Sequence, residues 1–105
     1  MDYRLAFADV DWEPAFNGTA RLKRFVRNGK TFRLVEMTPK SAHPEWCVVG
    51  HSGFIVEGDL EIDFDGEKLV FHAGDALSIP AGEADRHRPR AISDRAVMFL
   101  MEDEA

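Results

Sequence analysis

The chain has 105 residues, of which 45% are hydrophobic and eight are phenylalanine, so we expect one globular domain whose core needs no disulfide or structural metal. Its net charge of -6 disfavours nonspecific binding to nucleic acid or to an anionic membrane. No apolar run approaches the roughly 20 residues of a membrane span, and the first residues lack the apolar core of a signal peptide. Together with the single cysteine, which excludes an internal disulfide, these features predict a cytoplasmic protein.

The first part of the chain predicts an arm followed by a β-hairpin. Residues 1–18 combine acidic and aromatic residues around Pro14, which interrupts regular structure. We interpret them as an N-terminal arm or short edge strand that packs on the barrel of residues 19–102 or on a second subunit. Residues 20–27 and 30–37 flank Asn28-Gly29, a strong hairpin signal because both central residues of a type I′ turn need positive φ.

The rest of the chain consists of short predicted strands separated by turns. Leu60, Ile62 and Phe64 alternate with acidic residues and are expected to face the core. Asp65-Gly66 indicates a second hairpin turn, and residues 68–71, 76–79 and 96–101 have strand character. Turn signals about every 8 to 12 residues, without a helix pattern, predict an antiparallel sandwich or barrel.

Two motifs in the middle of the chain resemble those of the cupin superfamily. The sequence Gly74-x5-Pro80-x-Gly82, followed shortly by His87, resembles the second cupin motif. Residues 54–62, in which an apolar strand runs into a Glu-Gly turn, are similar to the end of the first motif. The resemblance implies an all-β, single-domain cupin with a double-stranded β-helix, or jelly-roll, fold. It also implies oxygenase, isomerase or sugar-modifying chemistry, among which the sequence does not choose.

The resemblance locates candidate metal ligands. Metal-binding cupins usually present two histidines and a glutamate in the first motif and a histidine in the second. Counting back from the Glu-Gly turn places His51 at the glutamate position, with Cys47 and Glu45 at the two histidine positions. In the second motif Asp85 takes the histidine position, and His87 follows on the same predicted strand face. Each replacement can still coordinate a metal, and the mixed set suits Zn²⁺ best, with Fe²⁺ or Cu as alternatives.

Physical arguments support part of this ligand set. Glu45 and Cys47 would leave the same face of a strand about 7 Å apart, a span that one ion can bridge. An imidazole at position 51 or 87 that faces a barrel interior needs a polar partner. Plainer roles remain open, because Cys47 can be a small buried hydrophobe and Glu45 a carboxylate at the rim.

Other residues are candidates for the lining of a pocket. Trp46, Phe54 and Met37 can supply apolar walls, although core packing explains them equally well. His43 lies in a proline-rich loop from which it can act as an acid or base, or simply remain at the surface.

Two functions of different classes are consistent with these patterns. The first is a small cytoplasmic cupin whose barrel holds a divalent metal ion and binds or transforms a small organic molecule. The alternative is a metal-free cupin that binds a small ligand or acts as a sensor, without catalysis. Redox sensing by Cys47 requires an exposed thiolate, which a buried strand position argues against. On each view we expect a homodimer, because a small barrel leaves apolar edges.

Overall fold

A computed structural model describes residues 3–103 of the chain. The predicted all-β fold is confirmed, and the only helical pieces among these residues are 3₁₀ turns at Phe7–Asp9 and Glu83–Asp85. No helix within this range has the length and apolar character that crossing a bilayer requires. The strands are β1 (Glu13–Ala15), β2 (Ala20–Arg27), β3 (Lys30–Met37), β4 (His51–Glu57), β5 (Asp59–Asp63), β6 (Lys68–His72), β7 (Ala76–Ile79), β8 (Arg88–Ala91) and β9 (Ala96–Asp103).

The strands form two antiparallel sheets. The larger sheet has the order β1-β2-β3-β9-β4-β7 and the smaller one the order β6-β5-β8. Gly58 carries the chain from β4 in the large sheet to β5 in the small one with φ of +78°. A Cβ at this position would lie 2.1 Å from the carbonyl oxygen of Arg95, so only glycine fits the corner. Such exchanges between two facing sheets produce a jelly roll.

Both predicted hairpin turns are present. Asn28 and Gly29 have φ of 55° and 73° and join β2 to β3, and Asp65 and Gly66 have φ of 60° and 119° between β5 and β6. Asparagine, aspartate and glycine tolerate this left-handed conformation, which explains why the sequence signal was reliable.

The N-terminal arm packs on the protein's own large sheet. Its strand β1 pairs with β2 at the sheet edge, where Pro14 is tolerated. The ring of Phe7 lies 5.1 Å from that of Phe25 and 6.2 Å from that of Phe99, in edge-to-face arrangements. The arm therefore covers part of the outer face of the sheet.

The core lies between the sheets and gives way to a cavity along the β3 and β9 pair. Leu60 and Ile62 are 0% and 2% exposed, as predicted for the inward face of β5. Along the inner face of the large sheet, Met37 pairs with Ala96 at the packed end. Towards the other end of the two strands the inward residues become polar, with Arg33 on β3 and Glu102 on β9.

Candidate metal centre and cavity

Cys47, His51 and His87 converge on one point of the interior. Their candidate ligand atoms, one sulfur and two ring nitrogens, all lie within 4.8 Å of one another. His51 is the first residue of β4, and His87 directly precedes β8. Cys47 and His87 exchange two backbone hydrogen bonds, of 2.8 and 3.0 Å, so the two sequence-distant motifs are fixed to each other at the site.

The other two candidate ligands lie outside this cluster. The strand predicted around Glu45 and Cys47 is wrong, since this stretch is irregular apart from the bridge at Cys47. Prolines in the preceding loop disfavour a continuous strand there. Glu45 is exposed at the rim of the cavity. Asp85 belongs to a 3₁₀ turn rather than to a strand, so it does not share a strand face with His87.

A hydrogen bond to a backbone carbonyl orients His87, and close contacts with Glu102 and Cys47 orient His51. His87 Nδ1 donates to the backbone carbonyl of Asp85 at 2.9 Å, which leaves its Nε2 as the atom with a free lone pair. That Nε2 is buried and has no hydrogen-bond partner among the described residues. On the other ring, Nδ1 of His51 lies 2.5 Å from a carboxylate oxygen of Glu102, and Nε2 lies 3.4 Å from Cys47 Sγ. His51 Nε2 therefore faces the sulfur, and Nε2 is the His87 nitrogen that remains available to join it in the cluster.

Glu102 is a site residue that sequence reasoning missed. Its side chain is only 6% exposed and contacts both His51 Nδ1 and, at 2.9 Å, Arg33 Nε. The sequence predicts the last strand over residues 96–101, and Glu102 was not among the candidate site residues. The signal was available, because residues 96, 98, 100 and 102 alternate onto the same face of β9.

The three neighbouring ionisable groups shift one another's pKa. Burial alone would raise the pKa of the Cys47 thiol, but contacts with His51, His87 and the Val49 backbone lower it to about 5. Burial disfavours the charged form of His51, but Cys47 and Glu102 raise its pKa to about 9. Burial likewise opposes ionisation of Glu102, while His51 and Arg33 lower its pKa. The contacts thus favour a thiolate beside a protonated His51. Thiolate is the form that binds metals, and metal binding at His51 would release its Nε2 proton.

The cluster fits a tetrahedral metal ion. With bonds of about 2.3 Å to sulfur and about 2.0–2.1 Å to nitrogen, tetrahedral ligands are separated by roughly 3.3–3.6 Å. The Cys47 Sγ to His51 Nε2 distance of 3.4 Å already has this value. The orphaned Nε2 of His87 would gain the partner it lacks. A carboxylate or carbonyl behind each histidine is the usual outer support of a metal site.

A cavity of about 350 Å³ adjoins the cluster. Of the residues predicted to line it, Trp46 and His43 do so, while Phe54 and Met37 do not. Phe54 lies on the outer face of the large sheet against Phe99, at a centroid distance of 5.6 Å, and Met37 is buried in the core. The lining consists of Phe16, Leu22, Arg33, Val35, His43, Glu45, Trp46, Cys47, Val48, Val49, His51, Ile62, His87, Pro89, Met98, Leu100 and Glu102.

Ring contacts hold the loop that carries Trp46 and His43 along the wall of the cavity. The guanidinium of Arg88 lies 3.9 Å from the centroid of the Trp46 ring. His43 packs edge-to-face on Phe16 at 4.7 Å, and its Nδ1 lies 2.5 Å from the carbonyl oxygen of Glu45. These contacts fix two of the residues that line the cavity.

Residues 33–101 match the cupin domain family. The chain belongs to the cupin family. The matched segment includes all three members of the cluster, and the resemblance of the two motifs is thereby confirmed. No curated protein sequence matches the chain significantly.

Three solved structures illustrate the cupin fold of the chain. A cupin-2 domain containing protein from Shewanella frigidimarina is 21% identical, with 79% of each chain covered and a TM-score of 0.65. A cupin 2 conserved barrel domain protein from Salinispora arenicola is 20% identical over 100% of this chain and 90% of that one, with a TM-score of 0.70. HppE in its Fe(II) form is 12% identical over 93% of this chain and 58% of that one, with a TM-score of 0.72. At these identities the similarity shows the fold alone.

Proposed function

We propose that this cupin holds a divalent metal ion through Cys47, His51 and His87 and binds or transforms a small organic molecule in the adjoining cavity. The observation that carries the proposal is the convergence of one sulfur and two ring nitrogens within 4.8 Å of one another, with Nε2 of His87 buried and without a hydrogen-bond partner among the described residues. One thiolate and two imidazoles favour Zn²⁺, with Fe²⁺ as the main alternative. The similarly folded HppE is described in its Fe(II) form, which supports iron as the alternative.

Each neighbouring residue has a distinct part in this arrangement. Three protein ligands leave one coordination position open, and a bound divalent ion supplies a Lewis acid there. Glu102 and the carbonyl of Asp85 fix the tautomers of the two histidines. Apolar residues and Trp46 line the cavity, so an organic molecule there would contact mainly apolar walls.

The test is elemental analysis of protein purified without a histidine tag. We expect one zinc, iron or similar ion per chain and a rise in melting temperature when that metal is added back. His51→Gln and His87→Gln should each lose the metal. His72→Gln is the matched control, because His72 is exposed, pairs with Asp59 and is not a member of the cluster. Retention of metal by both site variants, or its absence from the unmodified chain, would overturn the proposal.

A metal-free binding function is the second candidate, and one observation favours it. His51 already has Cys47 on one ring nitrogen and Glu102 on the other, so two of the three cluster residues are partnered without an ion. In that case His51→Gln would leave both metal content and metal response unchanged, and the cavity would bind its ligand through polar contacts alone.

We also propose that the protein occurs in the cytoplasm.

We further propose that the chain forms a homodimer through the outer face of the large sheet. Phe54 is 46% exposed and Met101 is 37% exposed on this face, beside the partly covered ring of Phe99. Burial of such a patch is a common use of exposed apolar surface. Light scattering should give the mass of a dimer, and Phe54→Ser should shift it towards the monomer. A monomeric unmodified chain would contradict this assignment.

A further inference from the structure

We propose that Arg33 makes the cavity selective for a small monocarboxylic acid with an apolar or aromatic substituent. The inference deepens the proposed function and rests on it for the metal ion and for the charge balance that the ion sets, but not for the contact with Arg33 itself.

Arg33 presents a cationic fork to the cavity. It projects from the inner face of β3, lines the cavity, and has a side chain that is 33% exposed. Its Nε faces Glu102 at 2.9 Å. No hydrogen bond to a residue within 3–103 occupies its terminal nitrogens. A guanidinium with two adjacent free donors matches the geometry of a carboxylate, which it binds through two parallel hydrogen bonds.

The charges around the cavity leave an excess that a monoanion would balance. The charge of Arg33 is offset by Glu102, and a divalent ion at the cluster exceeds the Cys47 thiolate by one positive charge. Glu45, the other carboxylate of the lining, is exposed at the rim, where water screens it. A single carboxylate would neutralise the loaded cavity, whereas a dianion would reverse its sign.

The remaining walls define the rest of the ligand. Apart from the cluster and the rim, the lining is mainly aliphatic and aromatic, with Leu22, Val35 and Leu100 beside Arg33 on the large sheet. A volume of about 350 Å³ lies at the small end of the roughly 300–1,000 Å³ range of small-molecule sites. The ligand class is therefore a small acid whose tail is apolar.

Calorimetric titration of the zinc-loaded protein with phenylacetate and with phenylacetamide tests the inference. The two probes have the same size and shape, and only the first is charged. We expect phenylacetate to bind at least about tenfold more tightly, since hydrogen bonds to charged groups are the stronger kind. Arg33→Gln should abolish this preference, and Arg33→Lys should retain part of it. Equal affinities for the two probes, or binding of neither, would overturn the inference.

Arg24→Gln is the matched control. Arg24 lies directly opposite Arg33 in the β2 and β3 register, but it pairs with Glu13 at 2.7 Å and does not line the cavity. The Arg24→Gln substitution removes the same charge and should keep the preference for phenylacetate. An equal loss of this preference in Arg24→Gln and Arg33→Gln would overturn the assignment to Arg33. If the protein takes up no zinc, the metal proposal fails. The titration of the metal-free protein then decides on Arg33 alone, by whether phenylacetate is preferred and Arg33→Gln removes the preference.

Discussion

Replacement of Glu102 by glutamine tests whether its carboxylate supports His51, which we propose as a metal ligand. Glu102 lies 2.5 Å from Nδ1 of His51, and its side chain is 6% exposed, so water cannot take over its role. Glutamine preserves the shape of the side chain and removes the charge. Loss of such an outer partner typically lowers metal affinity about 10- to 100-fold, which corresponds to about 1.4–2.8 kcal/mol of binding free energy.

The affinity of Glu102→Gln for zinc can be measured by competition with a chromophoric chelator. Glu67→Gln is a suitable control, because Glu67 is exposed in the turn between β5 and β6. The variant His51→Gln shows the loss of zinc affinity expected when a proposed ligand itself is removed. If Glu102→Gln bound zinc as tightly as the unmodified chain while His51→Gln did not, the supporting role of Glu102 would be refuted.

Three further predictions concern the thiol, an ion-pair network and a close backbone approach. Iodoacetamide should alkylate Cys47 readily at neutral pH, because the pKa of the Cys47 thiol is lowered to about 5. Bound zinc should slow this reaction at least about tenfold. Equal rates with and without zinc would contradict ligation by Cys47. Hydrogen bonds, chiefly from Arg21, hold the pKa of Glu36 below its usual 4.5. The ionised carboxylate therefore stabilises the folded protein above pH 4.5, and this contribution is lost as the pH falls through the lowered pKa. Glu36→Gln should therefore lower the melting temperature by a few degrees at neutral pH and by less near pH 3, and equal decreases would refute this reasoning. A Cβ at Gly53 would lie 1.8 Å from a carbonyl oxygen of β9, so Gly53→Ala should lower the free energy of unfolding in urea by about 3 kcal/mol. The control Ser52→Ala should lower it by less than about 0.5 kcal/mol. Similar values for the two variants would contradict the close approach.

The fold was predictable because its turns have strict chemical requirements. Asn28-Gly29 and Asp65-Gly66 need positive φ at both positions, and the sequence supplies residues that tolerate it. Alternation in β5 was equally informative, because its polar residues are charged and cannot face the core.

Orientation was harder to predict where neighbouring residues are all apolar. Phe54 was expected in the pocket, but it alternates with Ile55, and Ile55 is the one that faces in, with 1% exposure. A period of two cannot decide between two apolar faces. Met37 does face inward, but at the packed end of β3 rather than at the cavity.

The candidate site could be predicted only in part, for two physical reasons. Asp85 and His87 were assigned to one strand face, but a 3₁₀ turn ends at Asp85 and breaks the alternation between them. Glu102 was overlooked because an acidic residue near a chain end is usually solvated. Its burial follows from Arg33 and His51, which reach it from other strands. Partners distant in sequence are visible only once the sheet is assembled.

X-ray absorption spectroscopy of the zinc-loaded protein tests the central claim most directly. The account predicts one sulfur at about 2.3 Å and two imidazole nitrogens at about 2.0–2.1 Å from the metal, with a lighter atom as the fourth neighbour. Cys47→Ser should remove the sulfur signal. A metal surrounded by oxygen atoms alone, or a protein that retains no metal for the measurement, would contradict the account.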